Sequence, residues 1–143
     1  MIAALTGAGY QVVGIDVSPG MLALARERYP GTQFLQGDIC TWVAPEKYDL
    51  VVAWHSIFHV PHAAHRDVVG KLCDVLAPGG AMLFTGGGID GEVTGPMHGQ
   101  TFYYSSLDGA DYQQILKARG CRCVLLEMDQ YPEEHLVLIG VNA

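Results

Sequence analysis

The stretch from Gln11 to Arg26 limits the possible folds of this chain more than any other. Gln11-Val12-Val13-Gly14-Ile15-Asp16 is a short β-branched run without polar alternation, the pattern of a strand covered on both faces, and it ends on a carboxylate. Ser18-Pro19 follows at once, supplying an N-cap residue and a proline suited to the first helical position. Met21, Leu22, Leu24, Ala25 and Tyr29 then carry a helix to Pro30-Gly31. A doubly covered strand that passes straight into a helix calls for a parallel neighbour and a layered α/β arrangement.

The same alternation continues. Ile2, Ala3, Leu5 and Ala8 lie at helical spacing before Gly9, so the chain opens on the end of a helix. Gln33 to Gln36 reads as a second strand closed by Gly37-Asp38, and Tyr48 to Trp54 as a third. His62 to Leu76 places Ala63, Val68, Val69, Leu72, Val75 and Leu76 on one helical stripe that stops at Pro78-Gly79-Gly80, and Ala81 to Thr85 is the next strand. Gly86 to Gln100 is glycine-rich and aperiodic and reads as a long surface loop. Asp108 to Arg119 is a helix. Arg122 to Glu127 and His135 to Val141 form two last strands, joined by Gln130-Tyr131-Pro132-Glu133-Glu134 as an antiparallel pair. The expected fold is a three-layer α/β/α sandwich, Rossmann-like, with a mostly parallel sheet and an antiparallel end, in a single domain over residues 1–143.

Composition narrows the partners. With 50% hydrophobic residues in 143 the chain can bury a continuous core, and 16% charged residues do not suggest disorder. A net charge of −7, with eight scattered Lys and Arg, offers no basic patch for a nucleic-acid backbone. No apolar run approaches the roughly 20 residues that span a bilayer, and no signal peptide follows Met1. A soluble, cytoplasmic protein without membrane or nucleic-acid partners is expected. Cys121 and Cys123 have no zinc spacing, and Cys40 and Cys73 read as reduced core thiols.

In sheets of this kind ligands bind beyond the carboxyl ends of the strands. Asp16 is placed there to accept from vicinal hydroxyls such as those of a ribose, and Asp38 to accept from an exocyclic amine. Each also has a plainer reading, a carboxylate near a helix start for Asp16 and a turn aspartate for Asp38.

Four stretches in order are more specific than either aspartate: 12 to 26, VVGIDVSPGMLALAR; 35 to 39, LQGDI; 48 to 54, YDLVVAW; and 76 to 84, LAPGGAMLF. In these, and over almost the whole chain, the sequence resembles the class I S-adenosylmethionine-dependent methyltransferases of the small-molecule type. The resemblance implies S-adenosylmethionine as cofactor and methyl transfer to a small-molecule acceptor. It implies that Asp16 binds the ribose hydroxyls, that Val17 and Met21 pack on the adenine, and that Asp38 with Ile39 holds the adenine edge. Trp54, His55 and Ser56 would lie near the methionine end and the transferred methyl. His59 would begin the turn that closes the active-site loop, as a substrate-binding or structural residue, and His98, Tyr103 and Tyr104 would line the acceptor pocket. Alignment and exclusion of water can carry such a displacement, so a general base is optional.

Members of that family open with a strand ending in an acidic residue and a Gly-x-Gly loop. Here Met1 falls inside the helix that would follow, and Gly7 and Gly9 end a helix rather than following a strand. The resemblance therefore implies that the central strand is missing, leaving the edges of two strands unpaired. Marginal stability and weak cofactor binding are expected unless another chain fills the gap. Two other functions stay open at this point: a non-catalytic methyltransferase-like binding or assembly module, and an NAD-dependent oxidoreductase, since Asp16 also suits a dinucleotide ribose. The cluster His55, His59, His62 and His65 invites a metal, but Pro61 interrupts any one helix through it and no matching carboxylate is nearby, so no metal is expected. Acceptor atom and oligomeric state are not written in these residues.

Overall fold

The computed structural model describes residues 1–129 and 135–143. The backbone groups into two compact units, Met1–Val43 and Ala44–Ala143. The join expected at Gln130 to Glu134 lies outside the described residues.

The first unit is a βαβ turn preceded by a short helix. Helix α1 is Ile2–Gly7, β1 is Val13–Asp16, α2 is Pro19–Arg28 and β2 is Gln33–Gln36. Strands β1 and β2 pair in parallel, with Asp16 opposite Gln36. Helix α2 starts where the sequence places it, because Ser18 Oγ accepts from the Met21 amide at 3.3 Å and Pro19 occupies the first turn. Little is buried in this unit: of its apolar side chains only Leu22 falls below a tenth exposed, at 2%. Met21 and Leu24 on the same helix are 57% and 61% exposed.

The second unit holds a four-stranded sheet in the order β3-β4-β8-β7 and a separate hairpin, β5-β6. Here β3 is Tyr48–Ala53, β4 Leu76–Gly86, β5 Gly91–Met97, β6 Gln100–Ser106, β7 Cys121–Asp129 and β8 His135–Asn142. Strands β3 and β4 are parallel, whereas β8 runs antiparallel to both β4 and β7, giving the antiparallel end expected of the last two strands. Helices α3 (His65–Asp74) and α4 (Gly109–Ala118) cover the sheet. Phe84, Tyr112, Leu116 and Leu138 are fully buried, and each such side chain contributes about 1.5–3 kcal/mol relative to exposure. Gly140 lets α4 come close, since a Cβ there would meet Leu116 Cδ2 at 2.7 Å.

Three expectations are corrected. The Gly86 to Gln100 loop contains the β5 arm and the turn of a hairpin, with Met97 opposite Gln100 across a two-residue turn. Both turn residues are left-handed, His98 at φ 51° and Gly99 at φ 75°, as the hairpin turn whose twist matches its strands requires. Tyr103 and Tyr104 accordingly lie in β6, not in a loop. The helix expected from His62 begins as a 3₁₀ turn, His62–Ala64, and becomes α-helical only at His65. Strand β4 starts at Leu76 and runs through Pro78-Gly79-Gly80, with a register shift against Tyr48 and Leu50. Gly80 permits that approach, because a Cβ would lie 2.9 Å from the Ala77 carbonyl and 3.0 Å from that of Tyr48.

Strand β1 pairs only with β2, and β3 only with β4, so among the described residues each has one edge without a strand partner. Among the described residues no helix is long and apolar enough to cross a membrane. Cys73 and Cys121 are buried, while Cys40, expected in a core, is half-buried. Burial, with Cys121 alongside, pushes the Cys73 thiol up to about 12.

Candidate functional site

The two aspartates of the first unit are held in the same way. Asp16 Oδ1 accepts from the Ser18 amide at 2.7 Å, and Asp38 Oδ1 accepts from the Cys40 amide at 2.9 Å. Each is a local Asx turn, which uses one carboxylate oxygen to orient the group, Asp16 as the last residue of β1 and Asp38 just past β2. The plainer readings are therefore partly right: local backbone does take one oxygen of each group. Gly37 donates to the Asp16 carbonyl at 3.1 Å, which ties the end of β1 to the segment carrying Asp38. Asp16 and Met21 share a groove of ≈230 Å³ with Gly14, Leu22 and Ala25. Val17 is 65% exposed, and Ile39 is half-buried.

In the second unit the residues after β3 are gathered by contacts from distant strands. His55 sits at φ 48°, a left-handed conformation that costs a non-glycine residue on the order of 1–3 kcal/mol. Its amide donates to Thr85 Oγ1 at 2.8 Å, and Thr85 is fully buried at the end of β4. The His55 ring lies nearly parallel to that of Trp54, 5.2 Å between centroids, and its Nε2 is 3.2 Å from Nδ1 of His135 at the start of β8. Phe58 closes on the His135 ring at 4.9 Å. Ser56 is exposed and precedes the 3₁₀ turn Ile57–His59.

A second group forms against the hairpin. His59 Nδ1 donates to the Tyr103 carbonyl at 2.8 Å, and its ring lies 5.1 Å from that of Tyr104 and 5.8 Å from that of Phe102. Since a carbonyl only accepts, this bond puts the hydrogen on Nδ1 and leaves Nε2 as the acceptor of the neutral ring. The Tyr103 hydroxyl accepts from the His62 amide at 2.9 Å and donates to Glu92 Oε2 at 2.7 Å. His62 Nε2 in turn bonds Asp90 Oδ1 at 2.9 Å.

Of the expected site residues, the structure thus brings together His59, Tyr103 and Tyr104, and separately Trp54 and His55. His98 is exposed at the hairpin tip, where it makes no hydrogen bond or ring contact with the described residues. His62 and His65 are engaged elsewhere, His62 by Asp90 and His65 by the Ser105 carbonyl at 3.1 Å. Sequence reasoning missed Thr85, His135, Phe58, Asp90 and Glu92. His135 stands 80 residues from His55, and no local pattern announces their contact.

Beneath this surface a buried network fixes the end of β4. The Tyr112 hydroxyl accepts from the Leu107 amide at 3.2 Å and lies 3.0 Å from Ser106 Oγ, which accepts from the Gly87 amide at 2.7 Å. A Cβ on Gly86 would strike that hydroxyl at 2.7 Å, so glycine is required for the close approach.

A parallel pair ending in oriented carboxylates, and a mixed sheet with polar groups at its strand ends, define a Rossmann-like α/β protein. Solved structures agree on the fold. A SAM-dependent methyltransferase from Methanosarcina mazei aligns with TM-score 0.78 at 15% identity, over 99% of this chain and 86% of that one. A SAM-bound amino pentose methyltransferase from Micromonospora echinaspora, involved in calicheamicin biosynthesis, aligns with TM-score 0.72 at 19% identity, over 93% and 74%.

The chain belongs to the methyltransferase domain family, which its residues 1–80 match. Among curated relatives, the trans-aconitate 2-methyltransferase of Acidovorax sp. (strain JS42) is 33% identical over 121 residues, 85% of this chain and 45% of that protein. The trans-aconitate 2-methyltransferase of Rhizobium rhizogenes (strain K84) is 34% identical over 88 residues, 61% of this chain and 32% of that protein. The chain spans less than half the length of these relatives. The family match sets aside the NAD-dependent oxidoreductase reading.

Proposed function

We propose that this chain serves S-adenosylmethionine-dependent methyl transfer to a small-molecule acceptor in the cytoplasm. The observation that carries the reading is the pair of Asx-oriented carboxylates, Asp16 and Asp38, at the carboxyl ends of the two strands of a parallel pair within the stretch that matches the family. These residues fit the cofactor. An ionised carboxylate with one oxygen engaged by its own backbone still offers acceptor capacity to ribose hydroxyls at Asp16 and to the adenine amine at Asp38. Val17 and Met21, apolar and exposed, offer packing surface for the adenine, with Ile39 beside Asp38. In the second unit Trp54 and His55 serve the methionine end, and Ser56, His59, His98, Tyr103 and Tyr104 serve the acceptor. When bound, the cofactor supplies a sulfonium-activated methyl group. The chain's own residues bind, orient and keep water away.

The test is saturation-transfer NMR with S-adenosylhomocysteine, which detects weak binding. Saturation should reach the adenine and ribose protons, and Asp16→Ala should weaken the signal by at least about tenfold, the loss of one charge-assisted hydrogen-bond site. Equal signals from the two proteins, or displacement by equimolar NADH, would sink the reading.

A further inference from the structure

The histidine pair just past β3 and at the start of β8 has a geometry that binding a methyl donor does not call for. His55 is held in a left-handed conformation, its amide fastened to the buried Thr85 hydroxyl at 2.8 Å. Its ring is fixed between Trp54, stacked at 5.2 Å, and His135, edge-on at 4.7 Å. Strain retained by surrounding contacts is a recurrent mark of a functional position. Both rings lie at the carboxyl end of the parallel pair: His55 follows Ala53 by two residues, and Leu136, next to His135, pairs with Gly86 at the end of β4. That is the ligand-binding end of such a sheet.

The short contact is Nε2 of His55 to Nδ1 of His135, 3.2 Å. Two neutral imidazoles at this distance share one hydrogen. With that hydrogen on His55 Nε2, Nδ1 of His55 carries the lone pair. A proton arriving at Nδ1 converts the bond to His135 into a charge-assisted one. Among the described residues the titratable group facing His55 is His135; its other neighbours are Thr85, Trp54 and Phe58.

The charges nearby narrow the acceptor. Residues 48–65 and 72–116, which supply β3, β4, the 3₁₀ turns and the hairpin, contain no lysine or arginine. Arg66 is engaged by Asp111 at 2.6 Å. The hairpin and the residue before it instead present Glu92 and Asp90. Among the described residues, these elements offer no guanidinium or ammonium with which to pair a polycarboxylate. A carboxylate acceptor is also already ionised at neutral pH and needs no base, whereas an amine or hydroxyl acceptor must lose a proton.

We propose that His55, supported by His135, takes the proton from the methyl acceptor, and that the acceptor is an amine or hydroxyl compound rather than a carboxylate. The inference rests on the methyl-transfer reading above. In the step, the acceptor nitrogen or oxygen forms a bond to the methyl carbon as the carbon–sulfur bond breaks. The electron pair of that bond goes to sulfur, which leaves as neutral S-adenosylhomocysteine, and the acceptor's proton passes to His55 Nδ1. His135 positions the base through their shared hydrogen.

The first measurement needs no acceptor. Long-range proton–nitrogen spectra of the ¹⁵N-labelled full chain, followed through a pH titration, should show His55 and His135 titrating together in two separated steps, and His55 in a single step in His135→Ala. Independent single-step titrations in the unmodified chain overturn the dyad. The second measurement follows labelled methyl from S-adenosylmethionine into a pool of tyramine, 4-aminophenol and catechol, and separately into trans-aconitate. Label should enter the pool, His55→Ala should lower kcat by at least about 100-fold and remove the acidic limb of the pH profile, and His135→Asn should recover most of what His135→Ala loses. Transfer to trans-aconitate alone, transfer to neither, or a His55→Ala variant at the unmodified rate overturns the proposal. Saturation-transfer signals from S-adenosylhomocysteine, recorded on the same samples, separate these outcomes from failure of the methyl-transfer reading itself.

Discussion

His65 shows how one buried side chain sets a pH dependence. It has no exposed surface, and burial is the main reason its imidazole titrates below the ordinary histidine range. The Ser105 carbonyl opposes that shift, His62 adds to it, and the Ile57 carbonyl opposes it again. A histidine in the unfolded chain takes a proton near pH ~6.5, whereas the folded chain resists it until lower pH. Below about pH 6.5 the unfolded state therefore binds more protons, and stability falls with pH, by at most ~1.4 kcal/mol per unit for this one group, until the lowered folded value is passed. The contribution is intact above pH ~6.5. Denaturant midpoints measured between pH 7.5 and 5.5 should fall less steeply in His65→Gln, which keeps an amide donor for the Ser105 carbonyl; parallel curves would show that His65 does not carry the effect. The sequence placed this histidine in a cluster and gave it no role. Its burial comes from β6 and the 3₁₀ turn at Ile57, which no spacing rule brings to it.

Among the elements, the hairpin β5-β6 was hidden in the sequence for an identifiable reason. Gly91 and Gly95 dilute the alternation of β5, and Gly86, Gly87, Gly88 and Gly99 flank it, so the stretch reads as loop. The signal that would have found it is the pair His98-Gly99 between Glu-Val-Thr and Thr-Phe-Tyr-Tyr, a two-residue turn flanked by strand formers. Because His98 sits at φ 51° before a left-handed glycine, His98→Asn should stabilise the second unit by about 0.5 kcal/mol, asparagine being better suited to that conformation. Thermal unfolding of the two proteins checks this, and a lowered midpoint would count against the assigned turn or assign His98 a contact of its own. By contrast the start of α2 was legible to the residue, since Ser18 and Pro19 act through local chemistry that no distant contact overrides.

At the scale of the whole chain the two units differ in what they bury. Leu22 is the one apolar side chain of residues 1–43 below a tenth exposed, while the second unit encloses Phe84, Tyr112, Leu116, Leu138 and their neighbours. Opening free energy follows buried apolar surface and backbone pairing. Native-state hydrogen exchange should therefore show the amides of β1 and β2, each with one strand partner, exchanging well before those of β4 and β8, which are paired on both sides. Uniform protection across both units would refute this division of stability. The sequence by itself determined the order of strands and helices outside the β5-β6 hairpin, the Ser18 cap, the carboxylates at the end of β1 and just past β2, and the family, because these depend on local periodicity and on residues adjacent in the chain. Only the tertiary structure decided that His55 meets His135 across 80 residues, that Thr85 holds its strained backbone, and that Tyr103 joins His62 to Glu92. Those contacts arise where separate strands end side by side, and pairing register, which sets them, is a property of the assembled sheet.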